Sequence, residues 1–317
     1  MRILFMGTPD FAVPSLRALL AGGYEIACVV TQPDRPKGRG RQLAPPPVKT
    51  AALEHGLPVS QPEKIRSEEA LAYLESLRPD LLVTAAYGQL LPARLLDMPR
   101  LGCINVHASL LPRYRGGAPI HRSILNGDRE TGVTIMRMVQ ALDAGDMLAQ
   151  VRVPIEETDT VGTLHDKLAE VGAKLLLETI PKIVDGTITE TPQDESLVTY
   201  APNLTREDER IDWAKDARAI YNQVRGLNPW PVAFTTLGDK IFKIWWAEIV
   251  DPHAVTGHPP GTVLRTTKDA IVVQTGKGIL AIKQLQPEGK RRMSAEELLR
   301  GQTVEAGNRF GDANREP

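Results

Sequence analysis

The hydrophobic pattern of the first 185 residues alternates between short apolar runs and longer amphipathic segments. The apolar runs predict buried strands, and the amphipathic segments between them predict helices. Strands are predicted at 2–6, 25–30, 57–59, 81–85, 103–107, 134–139 and 148–155, and helices at 11–20, 50–56, 67–77, 116–126 and 160–185. This alternation is typical of βαβ units, so the pattern predicts an α/β fold with a mostly parallel sheet.

The pattern changes after residue 186. Residues 187–205 are polar and contain two prolines and several charges, which favours a linker. One helix and a series of short strand-like runs follow, at 214–226 and at 233–236, 241–246, 261–264, 270–274 and 279–284. Short strands at close spacing predict a small antiparallel barrel. We therefore expect two domains, residues 1–186 and 206–317, joined by the linker.

The amino-acid composition excludes several classes of protein. Lys and Arg total 38 and Asp and Glu total 39, a net charge of −1, which argues against indiscriminate nucleic-acid binding but not against a local basic patch. The two cysteines, Cys28 and Cys103, both lie in apolar runs, so a disulfide scaffold and a Cys-rich zinc site are excluded. The chain start is unlike a signal peptide, and no stretch approaches the roughly 18 apolar residues of a membrane helix. A cytoplasmic protein without a membrane partner is expected.

The first predicted strand-to-helix turn lacks a dinucleotide-binding fingerprint. Such a fingerprint needs three glycines, for the turn, for the approach of the pyrophosphate and for helix packing. Here Gly7 is followed by Thr8, Pro9 and Asp10. Because proline suits the first turn of a helix and offers no N–H group, an ordinary turn is the preferred interpretation.

Two polar side chains interrupt an otherwise apolar strand. Asn105 and His107 are two residues apart on the strand predicted at 103–107, so they share a face about 6.6 Å apart, while Val106 points to the other face. The carboxyl end of a parallel strand is where open sheets bind ligands. Asp143 lies in a Gly-containing loop after a later predicted strand and can reach the same cleft.

These three side chains suit acyl or formyl transfer. His107 can accept or relay a proton, Asp143 can orient the imidazole and favour its charged form, and Asn105 can donate a hydrogen bond to a developing oxyanion. The alternative is a structural polar group that caps the sheet. No metal is predicted, because four further histidines lack acidic or cysteine neighbours at metal-ligand spacing; they are His55, His165, His253 and His258.

The loop after the second predicted strand carries strong positive charge. Residues 34–49 contain five basic residues and one acid, a local charge of +4. Its central basic residues are Arg35, Lys37, Arg39 and Arg41. A cationic loop at the ligand end of a sheet suits phosphate contacts, which hold a nucleic acid without reading its sequence. The alternative is a solvated loop without a partner.

An apolar segment follows the Asn105–His107 strand. Ser109, Leu110, Leu111 and Pro112 can pack against a flat ring while backbone groups hydrogen-bond its edge. A loop tucked under the next helix is an equally good interpretation of this pattern.

The C-terminal part contains two further notable groups. Three of the four tryptophans, Trp230, Trp245 and Trp246, are expected to pack in the barrel core. The basic run Lys290–Arg292 is interpreted as a solvated face, and phosphate contact is the alternative.

At these residues the chain resembles the methionyl-tRNA formyltransferases, over essentially its whole length. The resemblance is carried by long motifs, FMGTPDFA at 5–12, TQPDRPKGRG at 31–40, AAYGQLLP at 85–92, GCINVHASLLPRYRG at 102–116, ETGVTIM at 130–136, LDAGDML at 142–148 and LNPWP at 227–231. Several long motifs in one order are far more specific than any short pattern above.

The resemblance implies a Rossmann-like catalytic domain followed by an OB-like β-barrel domain that contacts tRNA. It implies an enzyme that moves the formyl group of 10-formyltetrahydrofolate to the α-amine of methionine on initiator tRNA. It also implies that Asn105, His107 and Asp143 are catalytic, that Ser109–Pro112 lines the folate site, and that the basic loop around Arg39 contacts the tRNA acceptor end. The expected partners are therefore initiator methionyl-tRNA and the folate co-substrate, and a monomer is expected.

Two rival functions remain open at this point. A related folate-dependent enzyme could formylate a sugar-nucleotide amine or hydrolyse the folate, but a small substrate has no obvious need for the cationic loop. A catalytically inert RNA-binding protein could retain the barrel alone, but the intact set of Asn105, His107 and Asp143 argues against it.

Overall fold

A computed structural model of the chain describes residues 1–37, 42–301 and 304–311 and divides it into two compact units. The first unit comprises Met1–Pro119, Glu130–Pro154 and His165–Pro202, and the second comprises Ile120–Arg129, Ile155–Leu164 and Asn203–Pro317. Most of the segment expected to be a linker, up to Pro202, therefore packs with the first unit.

The first unit is built on a seven-stranded sheet. Its strands and one additional hairpin are β1 (Arg2–Gly7), β2 (Glu25–Val30), β3 (Arg35–Lys37), β4 (Gln42–Ala44), β5 (Val59–Ser60), β6 (Leu81–Ala85), β7 (Cys103–His107), β8 (Glu130–Arg137) and β9 (Met147–Pro154). The helices are α1 (Val13–Ala21), α2 (Pro47–Glu54), α3 (Glu68–Ser76) and α4 (Ala93–Leu96), and two helices run from one unit into the other, α5 (Pro119–Leu125) and α6 (Val161–Val184).

The strand order confirms the predicted, mostly parallel sheet. The order is β5-β2-β1-β6-β7-β8-β9; the strands are parallel as far as β7, and β8 and β9 are antiparallel to their neighbours. The strands β1, β2 and β6 are almost entirely buried, which is typical of parallel strands. α6 approaches closely at Gly172, where a Cβ atom would lie 3.0 Å from the Cγ1 atom of Val106. Val106 therefore faces the packed side of β7, as predicted.

Among the residues that the structure describes, the second unit contains an antiparallel sheet and three helices that lie wholly within it. Its elements are α7 (Arg206–Glu209), α8 (Ala217–Gly226), β10 (Phe234–Leu237), β11 (Lys240–Asp251), β12 (Val263–Thr266), β13 (Ile271–Gln274), β14 (Ile279–Pro287), β15 (Met293–Ser294) and α9 (Ala295–Gly301). The strand order is β10-β11-β14-β13-β12, and β15 pairs with β14.

Residues 309–311 link the two edges of this antiparallel sheet. The Phe310 amide donates to the Gly261 carbonyl beside β12, and the Gly311 amide donates to the Thr236 carbonyl on β10, both over 2.9 Å. One chain segment therefore bonds to both edge strands, which closes the sheet into the predicted OB-like barrel. Phe310 also packs inside it, 2% exposed and 5.7 Å from Trp213 between ring centroids.

The tryptophans lie differently from the expectation of a shared core. Trp213 is the buried one, whereas Trp230 is 44% exposed. Trp245 lies beneath the exposed Arg292 guanidinium, 4.6 Å from its ring centroid, and Trp246 packs at the margin of the core. The expectation was wrong because the pairing of β11 with β14 is irregular at Trp245 and Trp246, which leaves both side chains only half-buried.

Two predictions from composition can be compared directly with the structure. Cys28 and Cys103 are both buried and free, and burial raises the pKa of the Cys103 thiol to about 12. Both thiols are therefore protonated at neutral pH and serve packing rather than nucleophilic chemistry. Within the described part of the chain, no helix has the length and apolar character needed to cross a membrane.

Candidate active site

His107 ends β7 with its ring held by the main chain. The side chain is 6% exposed, and its Nε2 atom lies 3.0 Å from the Tyr114 carbonyl oxygen. A carbonyl oxygen can only accept, so Nε2 must carry the hydrogen and donate it. In the neutral imidazole the acceptor is therefore Nδ1, which is the ring nitrogen available for proton transfer.

The loop that carries Asp143 reaches His107 from an unexpected direction. Because β8 runs antiparallel to β7, with His107 opposite Thr134, β8 ends beside the amino end of β7. Residues 138–146 must therefore return over the polar face of β7 before β9 begins. Met138 lies on this path, with its sulfur 3.1 Å from the Thr84 hydroxyl oxygen.

The Asp143 carboxylate lies close to the available nitrogen of His107. Its Oδ2 atom is 3.8 Å from His107 Nδ1 and accepts a 2.8 Å hydrogen bond from the Gly116 amide. A separation of 3.8 Å is too long for a hydrogen bond, but it places the carboxylate beside the available ring nitrogen. In this structure the Tyr114 carbonyl, rather than Asp143, makes the direct hydrogen bond that orients the imidazole.

Asn105 shares the polar face of β7 and has a defined amide orientation. Its Oδ1 atom accepts a 2.7 Å hydrogen bond from the hydroxyl of Thr84, its register partner on β6. With Oδ1 turned toward Thr84, Nδ2 is the amide group left to donate elsewhere, as an oxyanion requires. The structure thus brings Asn105, His107 and Asp143 to one face of β7.

The predicted folate segment divides between packed and accessible side chains. Ser109 is fully buried, with its hydroxyl donating to the Arg113 carbonyl over 2.7 Å, and Leu111 is 3% exposed. Leu110 and Pro112 are partly exposed. Half of the segment is therefore buried in the fold, and the other half leaves apolar side chains partly exposed directly after β7.

A second loop, 86–91, leaves the same edge of the sheet after β6, since β6 and β7 are parallel neighbours. The Tyr87 carbonyl accepts hydrogen bonds from the Thr8 hydroxyl (2.9 Å) and the Gln32 amide (3.1 Å), which hold the loop in place. Burial raises the pKa of Tyr87 to about 12. In contrast, Leu90 is 77% exposed, which leaves an apolar side chain accessible at this edge.

The basic loop forms a hairpin of β3 and β4 whose base is held by an ion pair. Lys49 donates to both carboxylate oxygens of Asp34 over 2.8 Å, and hydrogen bonds from Gln61 and Lys49 hold the pKa of Asp34 below its usual range. Lys49 therefore stabilises the base of the hairpin. The local charge of +4 nevertheless includes it among the cations of the loop.

Of the four basic residues predicted to contact tRNA, Arg35 alone has a described side chain. It is exposed and pairs with Glu63 over 3.0 Å. Arg39, Arg41 and the side chain of Lys37 lie outside the described residues.

Comparison with known sequences decides the family. Residues 1–180 match the family described as "Formyl transferase", and residues 203–303 match "Formyl transferase, C-terminal domain". This chain belongs to the formyl transferase family. It is 60% identical to a protein of Bacillus velezensis named methionyl-tRNA formyltransferase, over 316 residues that cover 99% of both chains.

Solved structures show the same formyl transferase fold at lower identity. The chain is similar to WlaRD, a sugar 3N-formyl transferase, with a TM-score of 0.66 and 20% identity, covering 92% of this chain and 99% of that one. It is also similar to HypX from Aquifex aeolicus, whose structure contains tetrahydrofolic acid, with a TM-score of 0.63 and 19% identity. That match covers 94% of this chain but only 47% of HypX, so this chain spans about half of that protein.

Three groups at this formyl transferase site escaped the sequence analysis. Two are main-chain groups, the Tyr114 carbonyl and the Gly116 amide, and a backbone group gives no residue-type signal. The third is the side chain of Gln193, which bonds the loop carrying Asp143 from within the stretch expected to be a linker. Among the described residues, no group of three or more His, Cys, Asp or Glu side chains is arranged to hold a metal ion.

Proposed function

We propose that this chain transfers the formyl group of 10-formyltetrahydrofolate to the α-amine of methionine on initiator tRNA, giving N-formylmethionyl-tRNA. The observation that carries the proposal is the convergence of Asn105, His107 and Asp143 on one face of β7 in a formyl transferase. The 60% identical relative named methionyl-tRNA formyltransferase supports this acceptor over others.

In the proposed reaction the neutral amine attacks the formyl carbon and the carbonyl π electrons move onto oxygen. The Nδ2 group of Asn105 then donates to the developing oxyanion, aided by an imidazolium form of His107. Because Thr84 holds the Asn105 amide in one orientation, this donor is set before the substrate arrives. Collapse of the adduct breaks the bond between the formyl carbon and the folate nitrogen.

Proton transfer completes the exchange. The attacking amine must lose a proton and the departing folate nitrogen must gain one, so one residue can serve both steps. We assign this relay to the Nδ1 atom of His107, directly or through water, because Nε2 already donates to Tyr114. The Asp143 carboxylate lies 3.8 Å from Nδ1, on the side of the ring where the proton is held between the two transfers.

The fit of this site to a folate rests on its two loops. Flat aromatic rings need apolar surface with polar groups at the edge. The partly exposed Leu110 and Pro112 on one loop, and the exposed Leu90 on the other, supply apolar surface at the same edge of the sheet. Ser109 and Leu111 are assigned to shaping the loop, since both are buried.

We assign the chemistry to residues 1–186 and tRNA contact to residues 206–317, with the stretch 187–205 between them. The basic hairpin is the second proposed RNA contact, through Arg35, Lys37, Arg39 and Arg41. A monomeric, cytoplasmic enzyme that uses no metal completes the proposal.

A competition assay tests the acceptor. The purified enzyme is incubated with 10-formyltetrahydrofolate and charged initiator tRNA, with a sugar-nucleotide amine and water as competing acceptors. We expect formyl-methionyl-tRNA as the main product, at least about 100-fold faster than either rival product, because tRNA alone supplies remote binding energy for positioning. A faster reaction with the sugar-nucleotide amine, or hydrolysis of the folate in its place, would contradict the proposal.

The basic hairpin gives a second prediction. Replacing Arg39 with alanine should raise KM for methionyl-tRNA and lower the slope of log affinity against log salt by about 1, since one phosphate contact is lost. The matched control is Arg2→Gln, which removes a cation already paired with Glu25 at the amino end of β1 and should leave the salt slope unchanged. An Arg39→Ala variant with the wild-type slope would remove the hairpin from the RNA interface.

A further inference from the structure

The side chain of Gln193 uses its whole amide within the first unit. Its Nε2 atom donates to the carbonyl oxygens of Asp143 and Gly145, both over 2.8 Å, and its Oε1 atom accepts from Arg115 Nε over 3.0 Å. Gln193 is 9% exposed and Arg115 is 4% exposed. Because both N–H groups and the oxygen of this buried amide are hydrogen-bonded, the amide has one orientation. It links the loop that carries Asp143 to Arg115.

The loop held by this amide needs external support. Asp143 has a φ of +49°, in the left-handed region that L-residues rarely adopt. Gly145, two residues later, has no room for a side chain, since a Cβ atom would lie 2.0 Å from the Arg137 carbonyl oxygen. A strained residue persists only when its surroundings hold it in place, and Gln193 bonds the carbonyl oxygens of both Asp143 and Gly145.

Thr199, which follows Gln193 in the chain, bonds to the segment that holds His107. Thr199 accepts a 2.9 Å hydrogen bond from the Tyr114 amide through its side-chain Oγ1, and its carbonyl accepts from the Arg115 amide over the same distance. The Tyr114 carbonyl is the acceptor for His107 Nε2. One segment, residues 193–199, therefore contacts the supports of both Asp143 and His107.

We infer that Gln193 is a positioning residue for formyl transfer, holding the Asp143 carboxylate against His107 through the loop backbone. The inference rests on the proposed function for its effect on rate, but its structural part concerns the loop alone. Since Gln193 acts on the Asp143 carbonyl and not on substrate, its loss should lower kcat and spare substrate binding.

The test uses the isosteric substitution Gln193→Glu in the full-length enzyme. The glutamate can still accept from Arg115, but it has no hydrogen to donate and repels the two carbonyls. We expect kcat to fall roughly 10- to 100-fold, as for a 1 Å misplacement of a reacting group, with KM for both substrates within about 2-fold of wild type. Gln193→Met removes the amide without adding charge and should act in the same direction. The matched control, Glu130→Gln, changes an exposed ion pair with Arg152 and should leave kcat unchanged.

Two further measurements separate positioning from a general loss of structure. In an Asp143→Asn background, Gln193→Glu should cost less than about 2-fold, because a residue that acts through the carboxylate has nothing left to position. Hydrogen exchange at the amides of residues 139–147 needs no substrate, and we expect it to accelerate at least about 10-fold in Gln193→Glu.

The inference is overturned by a wild-type kcat in both Gln193 variants, by a full additive loss in the Asp143→Asn background, or by unchanged exchange in the 139–147 loop. An inactive wild-type enzyme would instead count against the proposed function, and the exchange measurement would still decide whether Gln193 holds the loop.

Discussion

Replacing His107 with alanine should lower kcat for formyl transfer by about 10²- to 10⁴-fold, the usual contribution of a positioned acid–base group. The imidazole is buried, its Nε2 atom is held by the Tyr114 carbonyl, and Nδ1 faces Asp143 over 3.8 Å, so no other described side chain occupies the same position for proton relay. The measurement is single-turnover formylation of methionyl-tRNA at saturating folate, which separates chemistry from binding and product release.

Binding of tRNA should survive the His107→Ala substitution, because the proposed RNA contacts lie elsewhere. Filter binding of methionyl-tRNA to the variant should give a Kd within about 3-fold of wild type, under one kcal/mol. His55→Ala is the matched control, since His55 is exposed beyond the end of α2, and it should retain full activity. Normal turnover by His107→Ala would remove this residue from the mechanism.

Replacing Asn105 with aspartate should lower kcat by about 10²- to 10³-fold, the loss found when a single oxyanion donor is removed. Aspartate keeps the size of the side chain and can still accept from the Thr84 hydroxyl, but it places a second oxygen where Nδ2 faces the substrate. The developing negative charge is then repelled rather than stabilised, so kcat and kcat/KM should fall together.

The Asn105→Asp result needs a control for added charge. Asn203→Asp makes the same chemical change at an exposed position and should leave kcat unchanged. Thermal unfolding of both variants checks that the first unit remains folded. A fall confined to KM in Asn105→Asp would assign the residue to substrate binding rather than to the oxyanion.

Local pattern predicted the longer elements of the fold well. The strands at 25–30, 81–85 and 103–107 coincide with β2, β6 and β7, and the long amphipathic segment matches α6 within one residue at either end. Each of these elements buries an apolar surface with a regular period, so its signal depends only on neighbours in the chain.

Shorter and more polar elements gave too weak a signal. The sequence predicts a loop where β3 and β4 pair, because the residues there are charged and turn-forming. The four-residue α4 and the seven-residue α9 were also missed. A short segment without a regular apolar period is predicted to be a loop. Its actual structure depends on pairing or packing with distant residues.

The polar face of β7 could be predicted in part from the sequence. The two-residue spacing of Asn105 and His107 predicted a shared face of β7, which the structure confirms through the Thr84 contact and the partners of His107. Asp143 was selected by residue type and by resemblance. Its route, over the face of β7 from the far end of β8, depends on the antiparallel direction of β8, and the apolar pattern of a strand does not record direction.

The sequence by itself determined the α/β and barrel architecture, the family and the residue types available for chemistry, because these follow from periodicity and from long ordered motifs. Only the tertiary structure decided which nitrogen of His107 is available, how Asn105 is oriented and that Gln193 supports Asp143. Those properties arise from hydrogen bonds between groups 7 to 50 residues apart, several of them main-chain atoms. Their distances are set by the packing of the whole first unit, and no local pattern encodes them.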